Sequence, residues 1–284
     1  MPHEALIDPA ALRPHLDEPA WALVDCRFDL AAPHAGQAAY LAGHIPGAVY
    51  AHLERDLSGP VTAGRGRHPL PPPEIVAAAF SRWGIDSAVQ VVAYDDCGGG
   101  RAARLWWCLH WLGHRAAAVL DGGIGAWIET GGPLRSGEES RPPRRFAARP
   151  HPEQIAEAAE IERRLEDPAL VLIDSRAPDR YRGEVETIDP VAGHIPGARN
   201  RPWEANLDAR GRMLPPEALR PAFERLLGGA APESAVVYCG SGVTACQNLL
   251  AMASAGLPGA RLYPGSWSEW CADARRPVAA RPCA

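Results

Sequence analysis

The sequence contains no lysine, so all 29 of its basic residues are arginines. This absence excludes Schiff-base chemistry on a lysine and phosphate binding by a P-loop lysine. The net charge is only −5, and the arginines are scattered among acidic residues instead of forming a basic block. A nucleic-acid partner is therefore not expected.

Long apolar runs are also missing, and residues 1–14 lack the basic and then apolar pattern of a signal peptide. The seven cysteines include no Cys-x-x-Cys pair, which argues against a disulfide framework and against a zinc site. We therefore expect a cytoplasmic protein with reduced thiols and without a membrane partner.

What the sequence does contain is an internal repeat. Gly-His-Ile-Pro-Gly-Ala occurs at 43–48 and again at 193–198. The other paired anchors, in the same order along each copy, are 23–27 with 172–176, 91–94 with 235–238, and 122–127 with 265–270. Four anchors in one order predict two copies of one domain.

The repeat predicts an N-terminal domain at 1–135 and a C-terminal domain at 153–284. Between them, 136–152 is rich in Pro, Arg, Ser and Glu and is predicted to be a linker. Within each copy, short apolar segments alternate with helix-like segments. This order predicts an α/β fold in which each domain has a central parallel sheet with helices on both faces.

One predicted strand of the second copy, 235–238, ends directly before Cys239. A glycine-bearing loop follows, and then helix formers that close at Gly256, so the pattern is strand, tight loop and helix start. Loop N–H groups and the positive end of the helix would stabilise an anion on Cys239, which predicts a nucleophilic thiol. A buried apolar role is the alternative, and we favour it for Cys246.

The two copies differ at this position, because Asp95 stands where the second copy has Cys239. The first copy is therefore predicted to be catalytically inactive. Cys97 is only a minor candidate, since two adjacent carboxylates would raise its pKa.

Features that occur in both copies are more simply explained by the shared fold. His44 and His194 lie in the repeated turn, so packing or turn roles are predicted for them. Asp25 and Asp174 each precede an arginine by two residues at a strand end, which predicts local ion pairs or turn caps.

Taken together, these motifs resemble the tandem rhodanese-like sulfurtransferases, in which an inactive N-terminal domain is fused to an active C-terminal one. The resemblance covers nearly the whole chain and implies a persulfide on Cys239. The Gly-Ser-Gly-Val-Thr loop is similar to that of the 3-mercaptopyruvate-preferring branch, whereas thiosulfate-preferring members carry Arg and Lys after the cysteine. Donor binding would involve the loop residues Gly240, Gly242, Val243 and Thr244.

The resemblance also implies further site residues. Ser241 matches a catalytic serine, His68 a catalytic histidine, and Glu54 falls where the family has an aspartate. The family holds the donor carboxylate with two arginines, of which Arg180 matches the first. At the second place this chain reads Glu-Thr-Ile-Asp-Pro, at 186–190, and has no arginine.

The implied activity is sulfur transfer from a small-molecule donor, with 3-mercaptopyruvate favoured, to cyanide, a small thiol or a thioredoxin-type protein. No metal or other cofactor is expected. Thiosulfate sulfurtransferase activity, or a persulfide carrier that serves a protein partner, stays open as an alternative. A cysteine phosphatase is disfavoured, because the arginine that normally closes its loop is replaced here by Ala245.

Overall fold

The structure is a computed structural model that describes residues 3–280. The chain forms two compact units that are discontinuous in sequence. Unit 1 comprises 3–58, Pro71–His151 and Asp208–Met213. Unit 2 comprises Gly59–Leu70, Pro152–Leu207 and 214–280.

Unit 1 is built on a parallel sheet with the strand order β1-β5-β4-β2-β3. The strands are β1 (Leu6–Ile7), β2 (Trp21–Asp25), β3 (Val49–Tyr50), β4 (Gln90–Tyr94) and β5 (Ala117–Leu120). The helices are α1 (Pro9–Leu12), α2 (Ala35–Ala42), α3 (Leu53–Asp56), α4 (Pro73–Arg82), α5 (Ala102–Trp111) and α6 (Gly123–Glu129). A 3-10 turn spans Arg13–His15.

Unit 2 repeats this plan with the strand order β7-β6-β8-β9, again with parallel pairing. The strands are β6 (Val171–Asp174), β7 (Arg199–Asn200), β8 (Ala235–Tyr238) and β9 (Arg261–Leu262). The helices are α7 (Ala158–Arg163), α8 (Pro178–Arg182), α9 (Pro216–Leu227), α10 (Ala245–Ser254) and α11 (Ser266–Trp270). The 3-10 turns span Pro152–Gln154, Trp203–Asn206 and Pro232–Ser234.

The central strands are short apolar runs because both of their faces are covered. All residues of β4 and β8 are buried, as expected for parallel strands that lie between helices. In unit 2, Asp174 pairs in register with Tyr238, so the carboxyl ends of β6 and β8 lie side by side. The residue after β8 therefore lies at the edge of the sheet where ligands bind in open α/β folds.

Helix α9 shows how the sequence determines such an element. It begins at Pro216, whose fixed φ suits the first helical turn, and ends at Leu227. The capping residue that follows, Gly228, adopts the left-handed conformation at φ 62°. Between these ends, the buried residues Leu219, Phe223 and Leu227 recur at helical spacing. The helix thus presents one apolar face to the unit.

The predicted fold class is confirmed, with a parallel sheet flanked by helices in each unit. The predicted linker runs along unit 1, where the N–H groups of Arg144 and Arg149 donate to the carbonyl oxygens of Ser81 (2.9 Å) and Leu112 (3.0 Å). The stretch 59–70, which falls in the predicted N-terminal domain, packs in unit 2. The domain boundaries 1–135, 136–152 and 153–284 stay a prediction.

The ion pairs predicted for the repeated aspartates are confirmed. The carboxylate of Asp174 accepts hydrogen bonds from Arg176 Nη2 at 2.7 Å and from Arg176 Nε, which lies 3.1 Å from both of its oxygens, and Asp25 pairs with Arg27 in the same way. Burial alone would lower the pKa of Arg176, but Asp174 outweighs this effect and raises that pKa. These pairs join the strand end to the repeated turn, because Arg176 also donates to the carbonyl oxygen of Gly193 at 2.6 Å.

The histidines of the repeated turn have packing roles, as predicted. His44 stacks on Tyr40 with 4.3 Å between ring centroids, and His194 stacks on Tyr181 at 3.9 Å. Each histidine also hydrogen-bonds the carbonyl oxygen of its tyrosine through Nδ1, at 2.8 Å and 2.7 Å. Within residues 3–280, no helix is long and apolar enough to cross a membrane.

Candidate active site

Cys239 directly follows β8 and is fixed by backbone contacts to α11. Its N–H donates to Ser266 Oγ at 3.1 Å, and its carbonyl oxygen accepts the N–H of Trp267 at 3.0 Å. The residue is only 2% exposed. The sulfur is thus held at the carboxyl edge of the sheet and screened from bulk water.

The loop after Cys239 turns sharply into α10. Gly242 has φ +73°, and a Cβ there would lie 2.3 Å from the carbonyl oxygen of Pro264. Only glycine fits this close approach in a left-handed conformation. The carbonyl oxygen of Val243 then accepts the N–H of Cys246 at 3.1 Å, which starts the helical turn.

This loop and the start of α10 present several free N–H groups. The N–H groups of Gly240, Ser241, Val243 and Thr244 donate to no protein acceptor in the described part of the chain. The ten-residue helix α10 adds the positive end of its dipole at the same place. An anion at the Cys239 side chain would therefore be stabilised.

Unit 1 contains the corresponding loop with an anion already in it. The carboxylate of Asp95, which directly follows β4, is fully buried and accepts backbone N–H groups on both oxygens. The donors are Cys97 (3.0 Å), Gly99 (2.9 Å), Arg101 (2.7 Å) and Ala102 (2.8 Å). A loop of this design thus binds an anionic side chain in the position that corresponds to Cys239.

Ser241 and His68 form a buried hydrogen-bonded pair in unit 2. Ser241 Oγ and His68 Nδ1 lie 2.8 Å apart, and the residues are 8% and 4% exposed. The segment that carries His68 is attached to α11, since the N–H of Arg67 donates to Ser268 Oγ at 3.1 Å. The two residues that the family resemblance placed together do meet.

Two guanidinium groups face the residue next to Cys239. A Cβ on Gly240 would lie 2.8 Å from Arg67 Nη2 and 3.6 Å from Arg180 Nη1. Arg180 lies on α8 and donates to both oxygens of Glu186, at 2.7 Å and 2.9 Å, and to Asp189 Oδ2 at 3.1 Å. Arg67 pairs with Asp189 as well.

The acids of this cluster are almost fully buried, with side-chain exposures of 4% for Glu186 and 2% for Asp189. Burial raises the pKa of Asp189, and the nearby Arg67 opposes this only in part. For Glu186, the hydrogen bond from Arg180 and two from backbone N–H groups outweigh burial and leave its pKa below the usual value. Glu186 is therefore the better stabilised of the two anions.

Sequence reasoning missed Ser266, which holds the backbone of Cys239. Its φ is +54°, a rare conformation for a residue with a side chain and often a sign of function. Its Oγ accepts the N–H of Cys239 and donates to the carbonyl oxygen of Tyr263 at 2.9 Å. The repeat contained a signal, because the first copy has Gly123 at this position, with φ +58°.

Arg67 and Asp189 were also missed as a pair. They are 122 positions apart in the sequence, and only the folding of 59–70 into unit 2 joins them. Two signals were available: the arginine directly before the predicted catalytic histidine, and Asp189 in the segment where the family's second arginine is missing.

Three further residues were discussed from the sequence, namely Glu54, Cys246 and Cys97. Glu54 is exposed on α3 in unit 1, whereas the other predicted site residues lie in unit 2, so its role stays a prediction. Cys246 is buried in α10, and its thiol donates to the carbonyl oxygen of Gly242 at 3.4 Å. Burial and, to a smaller extent, Asp95 raise the pKa of Cys97, in the predicted direction.

Comparison with protein families places both repeats in one family. The model of the rhodanese-like domain matches residues 8–130 and again residues 157–273.

Individual relatives are similar over most of the chain. A probable 3-mercaptopyruvate sulfurtransferase of Pseudomonas aeruginosa is 51% identical over 276 residues, which cover 96% of this chain and 97% of the relative. A putative thiosulfate sulfurtransferase, SseB, of Mycobacterium tuberculosis is 42% identical over 258 residues, which cover 90% of this chain and 89% of the relative. The solved structure of 3-mercaptopyruvate sulfurtransferase from Leishmania major superimposes with a TM-score of 0.86 at 33% identity, over 97% of this chain and 76% of that one.

Proposed function

We infer that this chain, which belongs to the rhodanese-like family through both of its repeats, is a sulfurtransferase that carries sulfur on Cys239. The observation that supports this role is the anion-binding loop around Cys239, whose unit 1 counterpart surrounds the carboxylate of Asp95. A thiolate and a persulfide anion are both anionic sulfur species, so one set of N–H groups stabilises both.

In the first half of the proposed cycle, the Cys239 thiolate attacks the sulfur of 3-mercaptopyruvate. An S–S bond forms, the C–S bond of the donor breaks, and its electron pair leaves with the carbon as the enolate of pyruvate. The enolate then takes up one proton, and Cys239 is left as a persulfide. In the second half, cyanide or a thiol attacks the outer sulfur, the S–S bond breaks, and the thiolate is regenerated.

Ser241 and His68 are placed to serve the first half of this cycle. The Ser241 hydroxyl lies two residues after the nucleophile and 2.8 Å from a ring nitrogen of the buried His68. We propose that this pair polarises the donor and delivers the proton that the enolate needs. Thiosulfate leaves sulfite and needs no carbon-bound proton, so the pair matters less for that donor.

The proposal is tested by replacing the two cysteines that flank the loop. Cys239→Ser is expected to abolish sulfur transfer from 3-mercaptopyruvate to cyanide, measured as thiocyanate, together with the mass increase of one sulfur on the loaded protein. Cys246→Ser is the matched control and should retain both signals, because Cys246 points to a backbone carbonyl. Retained transfer by Cys239→Ser would refute the proposed nucleophile.

The Ser241→Ala variant tests the role of the buried pair. Turnover of 3-mercaptopyruvate should fall by about 100-fold or more, as expected for loss of a general acid. Turnover of thiosulfate by the same protein should fall much less. Equal losses for both donors would remove Ser241 from the proton-transfer step.

Thiosulfate is the second candidate donor. The relative from Mycobacterium tuberculosis carries that activity in its name. Arg67 and Arg180 also present guanidinium groups beside Gly240, where an anionic donor would enter. Steady-state rates with both donors under identical conditions separate the two assignments. A clear preference for thiosulfate would overturn 3-mercaptopyruvate as the donor.

We also propose that the acceptor is a thiol or a thioredoxin-type protein in the cytoplasm. None of the six cysteines in residues 3–280 forms a disulfide, which suits a reducing compartment. A persulfide on Cys239 that is stable towards cyanide but is taken up by a protein thiol would favour the carrier alternative. The absence of a metal or other cofactor stays a prediction.

A further inference from the structure

We propose that Arg67 and Arg180 together bind the anionic group of the sulfur donor, and that Asp189 is the internal anion that this group displaces. The inference rests on the proposed function of Cys239 and assigns the donor-binding arginine that sequence reasoning did not find. It also makes Asp189 a residue that determines donor affinity.

The two guanidinium groups lie close to the proposed nucleophile. Both lie within 4 Å of the Cβ position of Gly240, the residue that follows the nucleophile. A donor whose sulfur reaches Cys239 therefore has its carboxylate or sulfonate within reach of both arginines. Two planar guanidinium groups offer paired N–H donors that match the two oxygens of such an anion.

Arg67 still has hydrogen-bonding capacity in this arrangement. Its guanidinium group pairs with Asp189, but its buried Nε has no hydrogen-bond partner among the described residues. A buried donor without an acceptor is costly, so an additional anion at this arginine would be favourable. The side chain is 24% exposed, which leaves it accessible to a small molecule.

The charges of the cluster indicate which acid must move. Arg67 and Arg180 are balanced by Glu186 and Asp189, so a donor anion would leave an excess of buried negative charge unless one carboxylate withdraws. Glu186 is additionally held by the N–H groups of Ile188 and Asp189, each at 3.0 Å.

Asp189 competes less strongly than Glu186 for the two arginines. Within the described residues, the ion pairs and hydrogen bonds of the Asp189 carboxylate are those with Arg67 and Arg180. Its higher pKa agrees with a less stabilised anion. A donor carboxylate that takes over these arginines would replace Asp189 and leave Glu186 in place.

Direct binding of pyruvate by titration calorimetry tests this site without any sulfur chemistry, because pyruvate carries the same carboxylate and no sulfur. Arg67→Met keeps the apolar stem, and it should weaken pyruvate binding by about 10- to 100-fold, the loss typical of a charged hydrogen bond. Arg65→Met is the matched control from the same segment, since Arg65 is exposed, and it should bind as the unmodified protein does. Asp189→Asn should bind pyruvate more tightly, because it removes the competing anion.

Several results would overturn the proposal. Undetectable pyruvate binding by the unmodified protein, or equal binding by Arg67→Met, would exclude the two-arginine site. Unchanged or weaker binding by Asp189→Asn would exclude displacement. Arg67→Met could fail to fold, because it leaves Asp189 buried without one of its arginines. In that case the double variant Arg67→Met with Asp189→Asn removes both charges. This double variant must still bind pyruvate more weakly than Asp189→Asn alone.

The same proteins separate this inference from the proposed function. The predicted pattern of pyruvate binding, combined with no sulfur on Cys239 after exposure to 3-mercaptopyruvate, would leave the anion site in place and refute the function. Normal sulfur loading of Cys239, combined with equal pyruvate binding by the unmodified protein and by Arg67→Met, would support the proposed function and refute the anion site.

Discussion

The loop after β4 in unit 1 and the loop after β8 in unit 2 are held in the same way at their first residue, which is Asp95 in one and Cys239 in the other. Asp95 accepts the N–H of Ile124 on its carbonyl oxygen at 2.9 Å, just as Cys239 accepts that of Trp267 at 3.0 Å. In unit 1 the carboxylate of Asp95 takes up the loop N–H groups, whereas in unit 2 several loop N–H groups have no acceptor within the described residues. The loop N–H groups are thus satisfied by a side chain in unit 1, whereas in unit 2 they are available to an anion, as the proposed function requires.

The two loops show how repeated segments can have different roles, one in stability and one in the proposed reaction. A buried carboxylate that accepts four N–H groups stabilises its loop permanently. Under the proposed function, a cysteine at the same place leaves the N–H groups for the anionic sulfur of a thiolate or a persulfide. The unit 2 loop should therefore be the less stable and the more reactive of the two.

Replacing Cys239 by aspartate would give both loops the same first residue and should have the largest effect. Sulfur transfer should fall by about 1,000-fold or more, since no sulfur remains to carry the product. The thermal unfolding temperature should not decrease, because the new carboxylate can accept N–H groups as Asp95 does. Cys239→Ser is the neutral control, and an unfolding temperature of Cys239→Asp well below that of the serine variant would show that the two loops are not equivalent.

Removing Asp95 should weaken unit 1. Asp95→Ala leaves four backbone N–H groups without their acceptor, and we expect the free energy of unfolding to fall by about 3 to 5 kcal/mol. Asp95→Asn keeps one acceptor oxygen and should lose about half as much. The measurement is urea denaturation of both variants, and equal stability of Asp95→Ala and the unmodified protein would contradict the structural role of this carboxylate.

Two glycines of the unit 2 loop should respond differently to alanine. Gly242→Ala places a methyl group 2.3 Å from a backbone oxygen at positive φ and should cost about 2 kcal/mol or more. Gly240→Ala meets only the guanidinium ends of Arg67 and Arg180, not backbone, and should cost less than about 1 kcal/mol. Thermal unfolding compares the two, and a larger loss for Gly240→Ala would show that the loop backbone is not the rigid element.

The smallest effect concerns the cysteine in the unit 1 loop. Because burial and Asp95 raise the pKa of Cys97, iodoacetamide near neutral pH should leave it unmodified while it alkylates Cys239. Peptide mass mapping after brief treatment reports the two sites separately. Modification of Cys97 ahead of Cys239 would contradict this order of reactivity.

Much of the site was readable in the sequence. The strand, loop and helix around Cys239 follow from apolar runs, glycine and helix formers that act over a few neighbouring residues. The meeting of Ser241 with His68 was implied by the resemblance, and the 2.8 Å contact agrees with it. Glu54 was assigned only because it aligns with the family's aspartate. Alignment by itself does not show what an exposed side chain on α3 contacts, so its role stays a prediction.

The sequence by itself determined the repeat, the parallel α/β fold, the cysteine loop after β8 and the aspartate in its place in the first copy, because these depend on local patterns and on the alignment of one copy with the other. Only the tertiary structure decided that 59–70 packs in unit 2 and that Arg67 stands beside Arg180 against Asp189 and Glu186. The physical reason is that this segment has no apolar periodicity, and its place depends on contacts such as that between Arg67 and Ser268, which lie far apart in sequence.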